Sequence, residues 1–432
     1  MSLSPSRLVS FARRFSGDRR GNIAVVFAIA LVPLISFVGA AIDYSFAARA
    51  KTKLIAALDT AVLVATAKSE ITMSASAAQS DALNTFAGQM SALGLTTNSV
   101  TINVTDSVTT RTATGTATTV LTTYFMGLVG YKTLTVSAAS TAAASLPAYV
   151  DFYVLLDNSP SQGLGATTAD MTALQNATSD SCAFACHDTY TDSSKKKLQT
   201  SSYYSIAKKL GIKMRIDLVR DATQSLTDTA TASQLVSNQY RMAVYTMGSD
   251  CSAISLTTVS ALTSSLSSVK TAVSGVDLMT IPYSNYNSDQ CTDFDGILSS
   301  MNGTIPTPGS GSASSPQKWL FFISDGVADY YYPSTCSKST ISPGRCQEPL
   351  TTTICDTIKA RGVKIAVLYT TYLTMNDSWY NSYIKPWRTE IATKMQACAT
   401  SGYYYEVSSD ASISDALNAL FQKAVASSHL TN

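Results

Sequence analysis

An uncharged segment of 21 residues near the start of the chain, Asn22 to Ile42, most constrains what this sequence can fold into. As an α-helix with a rise of 1.5 Å per residue it is about 30 Å long, which matches the hydrocarbon thickness of a bilayer. A cleaved signal peptide is the alternative, but its apolar region is only about 7–15 residues long. The sequence therefore predicts an uncleaved transmembrane helix over residues 22–42, with the lipid bilayer as its partner.

The residues before this segment are basic and indicate its orientation. Residues 1–21 contain five arginines and a single acid, Asp18. Because positively charged flanks stay in the cytoplasm, we predict a cytoplasmic basic tail over residues 1–21 and expect the bulk of the chain outside the cytoplasm. The eight cysteines, an even number, suit disulfide bonds in an oxidising compartment. We thus expect a single-pass membrane protein.

The composition argues against two classes of function. The net charge of +2 provides no basic field for nucleic acid. A Ser-His-Asp hydrolase needs a positioned imidazole, but the chain has only two histidines, and it contains neither a Gly-x-Ser-x-Gly elbow nor a phosphate-binding glycine loop. We therefore expect no nucleic-acid partner and no enzymatic activity.

The part of the chain that follows the membrane segment has two different sequence patterns. Apolar residues continue at helical spacing from Phe46 to Ala65, which predicts one long helix leaving the bilayer. From about Thr97 to Ala144, β-branched and small residues alternate, with Gly115, Gly127 and Gly130 as breaks. We predict a pilin-like region over residues 43–148, made of this long helix and a small antiparallel sheet.

The remainder, residues 149–432, alternates apolar strands with helices. Apolar strands buried on both faces and separated by helices are typical of a doubly wound, mostly parallel α/β sheet. The strands are predicted at 151–157, 240–247, 318–324, 363–370 and 403–408, and the helices around 203–229, 293–301, 349–361, 383–400 and 412–427. Insertions are expected at about 162–202 and 327–348.

Oxygen-bearing side chains follow two of these strands. Asp157 ends the first strand and is followed by Ser159 and Ser161, and Asp325 comes directly after the third strand. Because ligands of such sheets bind at the carboxyl ends of the strands, we expect these side chains to share a site with Thr292, which precedes a helix. Thr280 and Thr304 are the alternatives for that position. Carboxylate and hydroxyl oxygens suit a hard divalent cation such as Mg²⁺.

This pattern is similar to that of a known family. Residues 150–428 resemble a von Willebrand factor type A domain, whose metal-ion-dependent adhesion site has Asp-x-Ser-x-Ser, then a Thr, then an Asp after a later strand. The resemblance implies that Mg²⁺, or Mn²⁺ or Ca²⁺, is held by Asp157, Ser159, Ser161, Thr292 and Asp325 and accepts an acidic side chain of a partner. The alternative is that these hydroxyls only cap turns and bind no metal.

The N-terminal segment resembles a second family. Arg20-Gly21-Asn22, the membrane helix, Asp43-Tyr44 and the Ala-rich helix are similar to the TadE/TadG-like segment of Flp (tight adherence) pilus assembly proteins. TadG-like members join this segment to a von Willebrand A domain. The resemblance implies a component of pilus assembly in the bacterial inner membrane, with the bulk of its chain in the periplasm, that docks other pilus-assembly or envelope proteins. Val26 stands where processed members carry Glu, so we expect no prepilin cleavage. A cell-surface adhesin or matrix-binding protein using the same site is the alternative.

The cysteines raise a further possibility. Cys182 and Cys186, followed by His187, resemble a haem-attachment motif, but three residues intervene instead of the usual two. A periplasmic redox protein is therefore a second alternative, and haem is not expected. Disulfides are the preferred interpretation, with Cys182–Cys186 and Cys336–Cys346 as candidate pairs. The pairing of the other four cysteines stays open.

Overall fold

The computed structural model of the chain describes residues 22–286, 290–330, 336–338, 344–372, 375, 378–408 and 412–428. The predicted basic tail (1–21), parts of the second predicted insertion and His429 lie outside these residues. The chain divides into two compact units, residues 1–145 and residues 146–432.

The first unit is built on one long helix. Helix α1 spans Asn22–Ala65 without interruption, and within the described part of the chain it alone is long and apolar enough to cross a membrane. Over the predicted span its large apolar side chains are exposed, Ile23 and Phe37 each by 79%, whereas Leu54 and Leu58 farther along are buried. Helix α2, Ala75–Ala92, packs on this buried part. The exposed and the buried parts of α1 thus follow one another along the chain.

The predicted antiparallel sheet of the first unit is confirmed. Its strands are β1 (Ser99–Asp106), β2 (Thr110–Thr122) and β3 (Thr133–Ser145), in the order β1-β2-β3. Gly115, predicted as a break, instead lies inside β2. A Cβ atom there would approach Leu58 Cδ1 to 2.8 Å, so glycine lets the strand pack closely on α1.

The second unit contains the predicted mostly parallel α/β sheet. Its six strands lie in the order β11-β10-β7-β4-β5-β6, all parallel to their neighbours except β6, which is antiparallel to β5. A separate hairpin is formed by β8 and β9. The bounds are β4 (Val150–Leu156), β5 (Tyr240–Thr246), β6 (Thr257–Thr263), β7 (Gln317–Ser324), β8 (Val327–Tyr330), β9 (Cys346–Pro349), β10 (Lys364–Thr371) and β11 (Tyr404–Ser408).

Helices cover both faces of this sheet, as expected of a doubly wound fold. Their bounds are α3 (Thr168–Ala177), α4 (Tyr203–Leu210), α5 (Arg215–Ser233), α6 (Leu266–Val273), α7 (Phe294–Thr304), α8 (Thr353–Ala360), α9 (Ser378–Tyr383), α10 (Arg388–Cys398) and α11 (Ile413–Ser428). Alternate residues of β4 enter two cores: Phe152 and Val154 pack with α5, α6 and α11, while Tyr153 and Leu155 pack with α7, α8 and α10. The helix predicted around 203–229 is two helices, because the chain turns at Gly211 (φ 68°).

Candidate metal centre

The two predicted acids meet where the sheet changes direction. From β4 the chain proceeds outward through β5 and β6, then returns to the other side of β4 to form β7. Strands β4 and β7 are hydrogen-bonded neighbours, with Leu156 opposite Ile323. Asp157 and Asp325 leave the carboxyl ends of these two strands and are both fully buried. The topology therefore places the two carboxylates side by side at the crevice where such sheets bind ligands.

Asp157 is held in place by hydroxyl and backbone groups. Its Oδ1 accepts hydrogen bonds from the Ser159 backbone N–H (3.0 Å) and the Ser159 hydroxyl (2.6 Å). Its Oδ2 accepts a bond of 2.6 Å from the hydroxyl of Ser324, the last residue of β7. These bonds fix both carboxylate oxygens of Asp157 from the two strands that meet there.

The loop after Asp157 is tied to the end of β5 by a buried asparagine. Asn158 Oδ1 accepts a bond from the backbone N–H of Met247 (3.0 Å), and its Nδ2 donates to the carbonyl of Gly248 (2.7 Å). Pro160 is the first residue of a short 3₁₀ turn that ends at Gly163. Proline suits this first position because the backbone N–H that it lacks has no partner within the turn. The proline is thus compatible with the loop that carries the serines.

Ser161 and Thr292 lie on one cavity. The Ser161 hydroxyl is 3.1 Å from that of Ser159. Ser161 and Thr292 line this cavity of about 220 Å³, together with Cys182, Cys186, Asp329 and Arg345 among others. The structure therefore brings two of the three predicted hydroxyl residues to one cavity, and Ser159 links Ser161 to Asp157.

The two alternatives for the threonine position lie in other surroundings. Thr280 donates to the Ser249 carbonyl (3.0 Å) and to Asp250 Oδ2 (2.9 Å). The Thr304 hydroxyl donates to the Ser300 carbonyl within α7 (2.8 Å). Of these three threonines, only Thr292 lines the cavity.

The position of Thr292 is fixed from two sides. Its N–H donates to the carbonyl of Asp329 (2.9 Å) and its carbonyl accepts from the Asp329 N–H (3.1 Å), which attaches it to β8. The preceding residue, Cys291, forms a disulfide with Cys251, with Cα atoms 5.1 Å apart. The segment that carries Thr292 therefore has little freedom to move.

Asp325 has partners that the sequence analysis missed. Its Oδ1 accepts the backbone N–H of Val327 (3.2 Å). Its Oδ2 accepts the hydroxyl of Tyr372 (3.0 Å), which follows β10, and lies 3.4 Å from Arg215 Nη1. A buried cation thus lies within the predicted cation site.

Arg215 is fully buried at the first residue of α5. Its Nη2 donates to the carbonyl of Thr371 (2.7 Å), and its guanidinium carbon is 4.4 Å from the centre of the Tyr372 ring, a cation–π contact. A cation in the first turn of a helix opposes the helix dipole. This position is therefore unfavourable for the helix dipole. Because the sequence predicts a single helix around 203–229, with Arg215 in its interior, no sequence signal marks this arginine as a site residue.

Burial and repulsion control the charge of the site. Burial, and next the neighbouring Asp325 carboxylate, raise the pKa of Asp157 to about 6 despite the hydrogen bonds from Ser159 and Ser324. Within the described residues, Arg215 is the one cation paired with either carboxylate. Two acids facing one arginine leave an uncompensated negative charge.

The nearby Asp329 is neutralised separately. It accepts hydrogen bonds from Arg345 Nε (2.9 Å) and Gln347 Nε2 (2.8 Å). Its burial nevertheless raises its pKa. Asp329 is therefore engaged within the β8–β9 hairpin and does not compensate the charge of Asp157 or Asp325.

The donor set of this site fits a hard divalent cation. Asp157, Ser159, Ser161, Thr292 and Asp325 offer only carboxylate and hydroxyl oxygens, the ligand types that Mg²⁺, Mn²⁺ and Ca²⁺ prefer. The two buried carboxylates repel one another and retain excess negative charge, which a bound cation would compensate.

The disulfide prediction requires one correction. Cys336 and Cys346 are joined, as are Cys251–Cys291 and Cys355–Cys398, but Cys182 and Cys186 both carry thiols. The chain between these two is extended, since Phe184 forms an antiparallel bridge with Leu164. Four residues of extended chain span about 13 Å, whereas bridged cysteines have Cα atoms within about 7 Å.

His187, the proposed haem ligand of the redox alternative, has structural contacts instead. Its ring stacks on Tyr204, with centroids 3.8 Å apart. Its Nδ1 lies 3.2 Å from the carbonyl of Leu278. These contacts explain the histidine as a packing residue.

The N-terminal end of the chain matches a known protein family. Residues 21–79 match the putative Flp pilus-assembly TadE/G-like family. This matched segment contains the whole of α1 and the beginning of α2. No curated protein matches the chain.

Three solved structures align with the chain at low similarity. The vWF domain of the type V pili tip protein Mfa5 from Porphyromonas gingivalis is 10% identical, with a TM-score of 0.37, and the match covers 65% of this chain and 97% of that one. A structure of three N-terminal domains of Mfa5 is 9% identical, with a TM-score of 0.34 and coverages of 72% and 54%. An uncharacterized membrane spanning protein from Vibrio fischeri is 13% identical, with a TM-score of 0.18 and coverages of 63% and 96%. The fold of the second unit rests on its strand order and not on these matches.

Proposed function

We propose that the chain is a membrane-anchored component of Flp-type pilus assembly that docks an acidic side chain of a partner protein at the cation site. The TadE/G-like segment supports the pilus context. The observation that carries the docking proposal is the adjacency of Asp157 and Asp325 at the switch point of the sheet. The nearby cavity is lined by Ser161, Thr292 and Tyr372, and the Tyr372 hydroxyl donates to Asp325.

The protein residues have distinct tasks in this proposal. Asp157 and Asp325 supply the negative charge, and Ser159, Ser161 and Thr292 supply neutral oxygen ligands. A Mg²⁺ ion held by these five residues, or Mn²⁺ or Ca²⁺ in its place, would offer an open coordination position to a carboxylate of the partner. The few charges among the ligands preserve the attraction for that additional acid.

The rim of the cavity contains an arginine, a residue type that binds carboxylates. Arg345 lines the cavity, with its guanidinium carbon 5.6 Å from the centre of the Trp379 ring. Phe184 packs edge-on against the same tryptophan, with centroids 6.1 Å apart. Asp329 compensates the charge of Arg345, but the guanidinium, held between that carboxylate and an aromatic ring, is ordered before a partner binds. We infer that this rim helps to select the partner.

The proposed location is the bacterial inner membrane, with residues 1–21 in the cytoplasm and the second unit in the periplasm. The length and apolar character of α1 support the anchor. The arginines before α1 support the orientation. Three disulfides in the second unit support an oxidising compartment.

The decisive experiment replaces the chromosomal gene with the Asp157→Ala variant in a piliated strain. We expect membrane levels equal to those of the wild type but a loss of pili. The matched control is Asp228→Ala, which removes an exposed acid of α5 whose partner is Lys270 at the surface. Normal piliation with lost attachment to surfaces would instead favour an adhesin, and normal behaviour in both assays would contradict the proposal.

A further inference from the structure

The connection between β2 and β3 forms an apolar projection that the proposed docking function does not use. We define residues 123–132 as the hairpin tip. A 3₁₀ turn at Met126–Val129 reverses the chain. Four large side chains of the tip are mostly exposed: Tyr124 by 73%, Leu128 by 79%, Val129 by 51% and Tyr131 by 65%. Lys132 is the one charged residue of the tip.

Strand β2 carries this tip along α1 toward the membrane. At the start of β2, Arg111 Nη1 donates to the carbonyl of Glu70, beyond the end of α1 (2.6 Å). Farther along, Gly115 packs against Leu58. After the strand ends, the Tyr124 N–H donates to Asp43 Oδ1 (3.0 Å). The strand thus runs antiparallel to α1, from its distal end to the point where the membrane span ends.

The tip reaches past this point. Asp43 Oδ2 accepts the backbone N–H groups of Phe125 (2.9 Å) and Met126 (2.7 Å). Phe125 packs directly on Gly39, where an added Cβ would lie 2.3 Å from Phe125 Cβ. Gly39 lies inside the predicted span, about 4.5 Å before Ile42 at the helical rise. Phe125 is therefore already at a depth assigned to the bilayer, and the tip continues from it.

We propose that the hairpin tip inserts into the lipid interface of the membrane that α1 crosses, as a second anchoring contact. This inference rests on the membrane anchoring in the proposed function but not on the cation site. It holds for either orientation of the chain, since the tip lies on the side of the membrane that receives the residues after α1.

The chemistry of the tip matches that environment. Tyrosines are enriched at membrane interfaces, where the ring lies among the acyl chains and the hydroxyl stays hydrated. Leu128 and Val129 provide apolar side chains, and Lys132 has a stem long enough to bring its charge to the headgroups. Irregular backbone is tolerated near lipid only where its polar groups are satisfied, and Asp43 satisfies three N–H groups of the tip.

We infer that lipid covers the surface of the tip, because this surface is continuous with the exposed apolar surface of the predicted span. The exposed face of α1 before Ile42 is apolar over its whole length, and the tip packs directly against it at Gly39. A side chain exposed at that depth contacts lipid unless another protein covers it. A second copy of the chain is the competing occupant, and the experiment distinguishes the two.

The test places a tryptophan at the tip of the full-length protein in phosphatidylethanolamine–phosphatidylglycerol vesicles. Leu128→Trp is compared with Val108→Trp, an exposed position (47%) in the turn between β1 and β2 at the opposite end of the sheet. The three native tryptophans all lie in the second unit, so the parent spectrum is subtracted. With lipids brominated near the headgroup, we expect emission from Leu128→Trp to fall about twofold, because interfacial side chains lie about 5–10 Å deep. Emission from Val108→Trp should not change.

A third variant, Ile29→Trp in the middle of the span, separates failure of the tip inference from failure of the anchor. If lipids brominated deep in the acyl chain quench Ile29→Trp while Leu128→Trp is quenched only by aqueous acrylamide, the anchor stands and the tip inference is wrong. Protection of Leu128→Trp from both quenchers would show a protein occupant and would also overturn the inference. If Ile29→Trp is not quenched, the membrane anchor itself fails.

Discussion

The guanidinium of Arg215 lies 3.4 Å from the carboxylate of Asp325, and neither side chain has any exposed surface. Arg215 therefore supplies positive charge to the same carboxylate that a divalent cation would need. In the absence of a cation this pair reduces the repulsion between Asp325 and Asp157. A divalent cation bound at this site would compete with the guanidinium for Asp325. We therefore expect Arg215 to lower the affinity of the site for a cation and to stabilise the protein without one.

Replacing Arg215 with Met tests this competition. Without divalent ions, loss of one member of a buried ion pair should lower the free energy of unfolding by about 3–5 kcal/mol. Added Mg²⁺ should then raise the melting temperature of Arg215→Met more than that of the wild type, because two uncompensated carboxylates bind it more tightly. Thermal unfolding by circular dichroism, with EDTA and with Mg²⁺, measures both effects.

The control for this variant is Arg241→Met. Arg241 also forms a close ion pair, with Asp151 (2.7 Å), but at the opposite end of β4 from Asp157. Its replacement should leave the effect of Mg²⁺ unchanged. An equal response to Mg²⁺ in the wild type and in Arg215→Met would contradict the competition between arginine and cation.

The protonation of Asp157 predicts an unusual pH dependence. Its pKa in the folded state is raised from 3.8 to about 6. The folded state therefore binds the proton more tightly than the unfolded state, and the resulting stabilisation is complete below the unfolded pKa and is lost as the pH rises through about 6. In EDTA, lowering the pH from about 7 to about 5 should raise the free energy of unfolding by about 1 kcal/mol through this group.

Chemical denaturation across this pH range measures the effect, with Asp157→Asn as the control. The asparagine variant should lack this component of the pH dependence. With saturating Mg²⁺ the slope should reverse in the wild type, because protons displace a cation from the carboxylate. A wild type and an Asp157→Asn variant with the same slope in EDTA would show that Asp157 does not titrate in this range.

The adjacency of Asp157 and Asp325 was predictable from sequence because it follows from topology. Two apolar strands that end in an acid, in a chain alternating strands and helices, place those acids at one edge of a parallel sheet. Arg215 was not predictable in the same way. Arg215 reaches this edge of the sheet because the chain between Gly163 and Met214 returns the start of α5 to it. Neither periodicity nor a local sequence motif specifies the course of that segment.

The contacts of Thr292 were likewise predictable from the sequence only in part. Its place before a helix was visible in the sequence, but its distinction from Thr280 and Thr304 required the backbone pairing with Asp329. The partner of Cys291 was also open, because sequence spacing does not determine which distant cysteines approach one another. Contacts set by local pattern were thus predictable, and contacts between loops were not.

The Cys251–Cys291 disulfide should affect both stability and cation binding. Replacing both cysteines by Ser should lower the free energy of unfolding by about 4 kcal/mol, because the bridge closes a loop with a sequence separation of 40. It should also weaken Mg²⁺ binding by about tenfold, since the residue before Thr292 loses its attachment. Isothermal titration calorimetry and chemical denaturation measure the two effects.

The matched control replaces Cys355 and Cys398, which close a loop of nearly equal separation, 43 residues, away from the cavity. The two double variants should lose similar stability, but only the first should lose Mg²⁺ affinity. If both lose affinity equally, the effect of the Cys251–Cys291 bridge is general destabilisation and not positioning of Thr292.

Asp43 should hold the hairpin tip against α1. In Asp43→Asn an NH₂ group replaces one of the two accepting oxygens, so at least one of the three N–H groups of residues 124–126 loses its acceptor and the tip should lose about 1–3 kcal/mol of local stability. Hydrogen exchange of the full-length protein should then be faster at these three amides while the amides of α2 stay protected. Asp59→Asn is the control, because Asp59 accepts a single bond, from the Ser140 hydroxyl (2.5 Å), which an asparagine oxygen can also accept. Unchanged exchange at residues 124–126 in Asp43→Asn would show that packing of Phe125 on Gly39, and not the carboxylate, holds the tip.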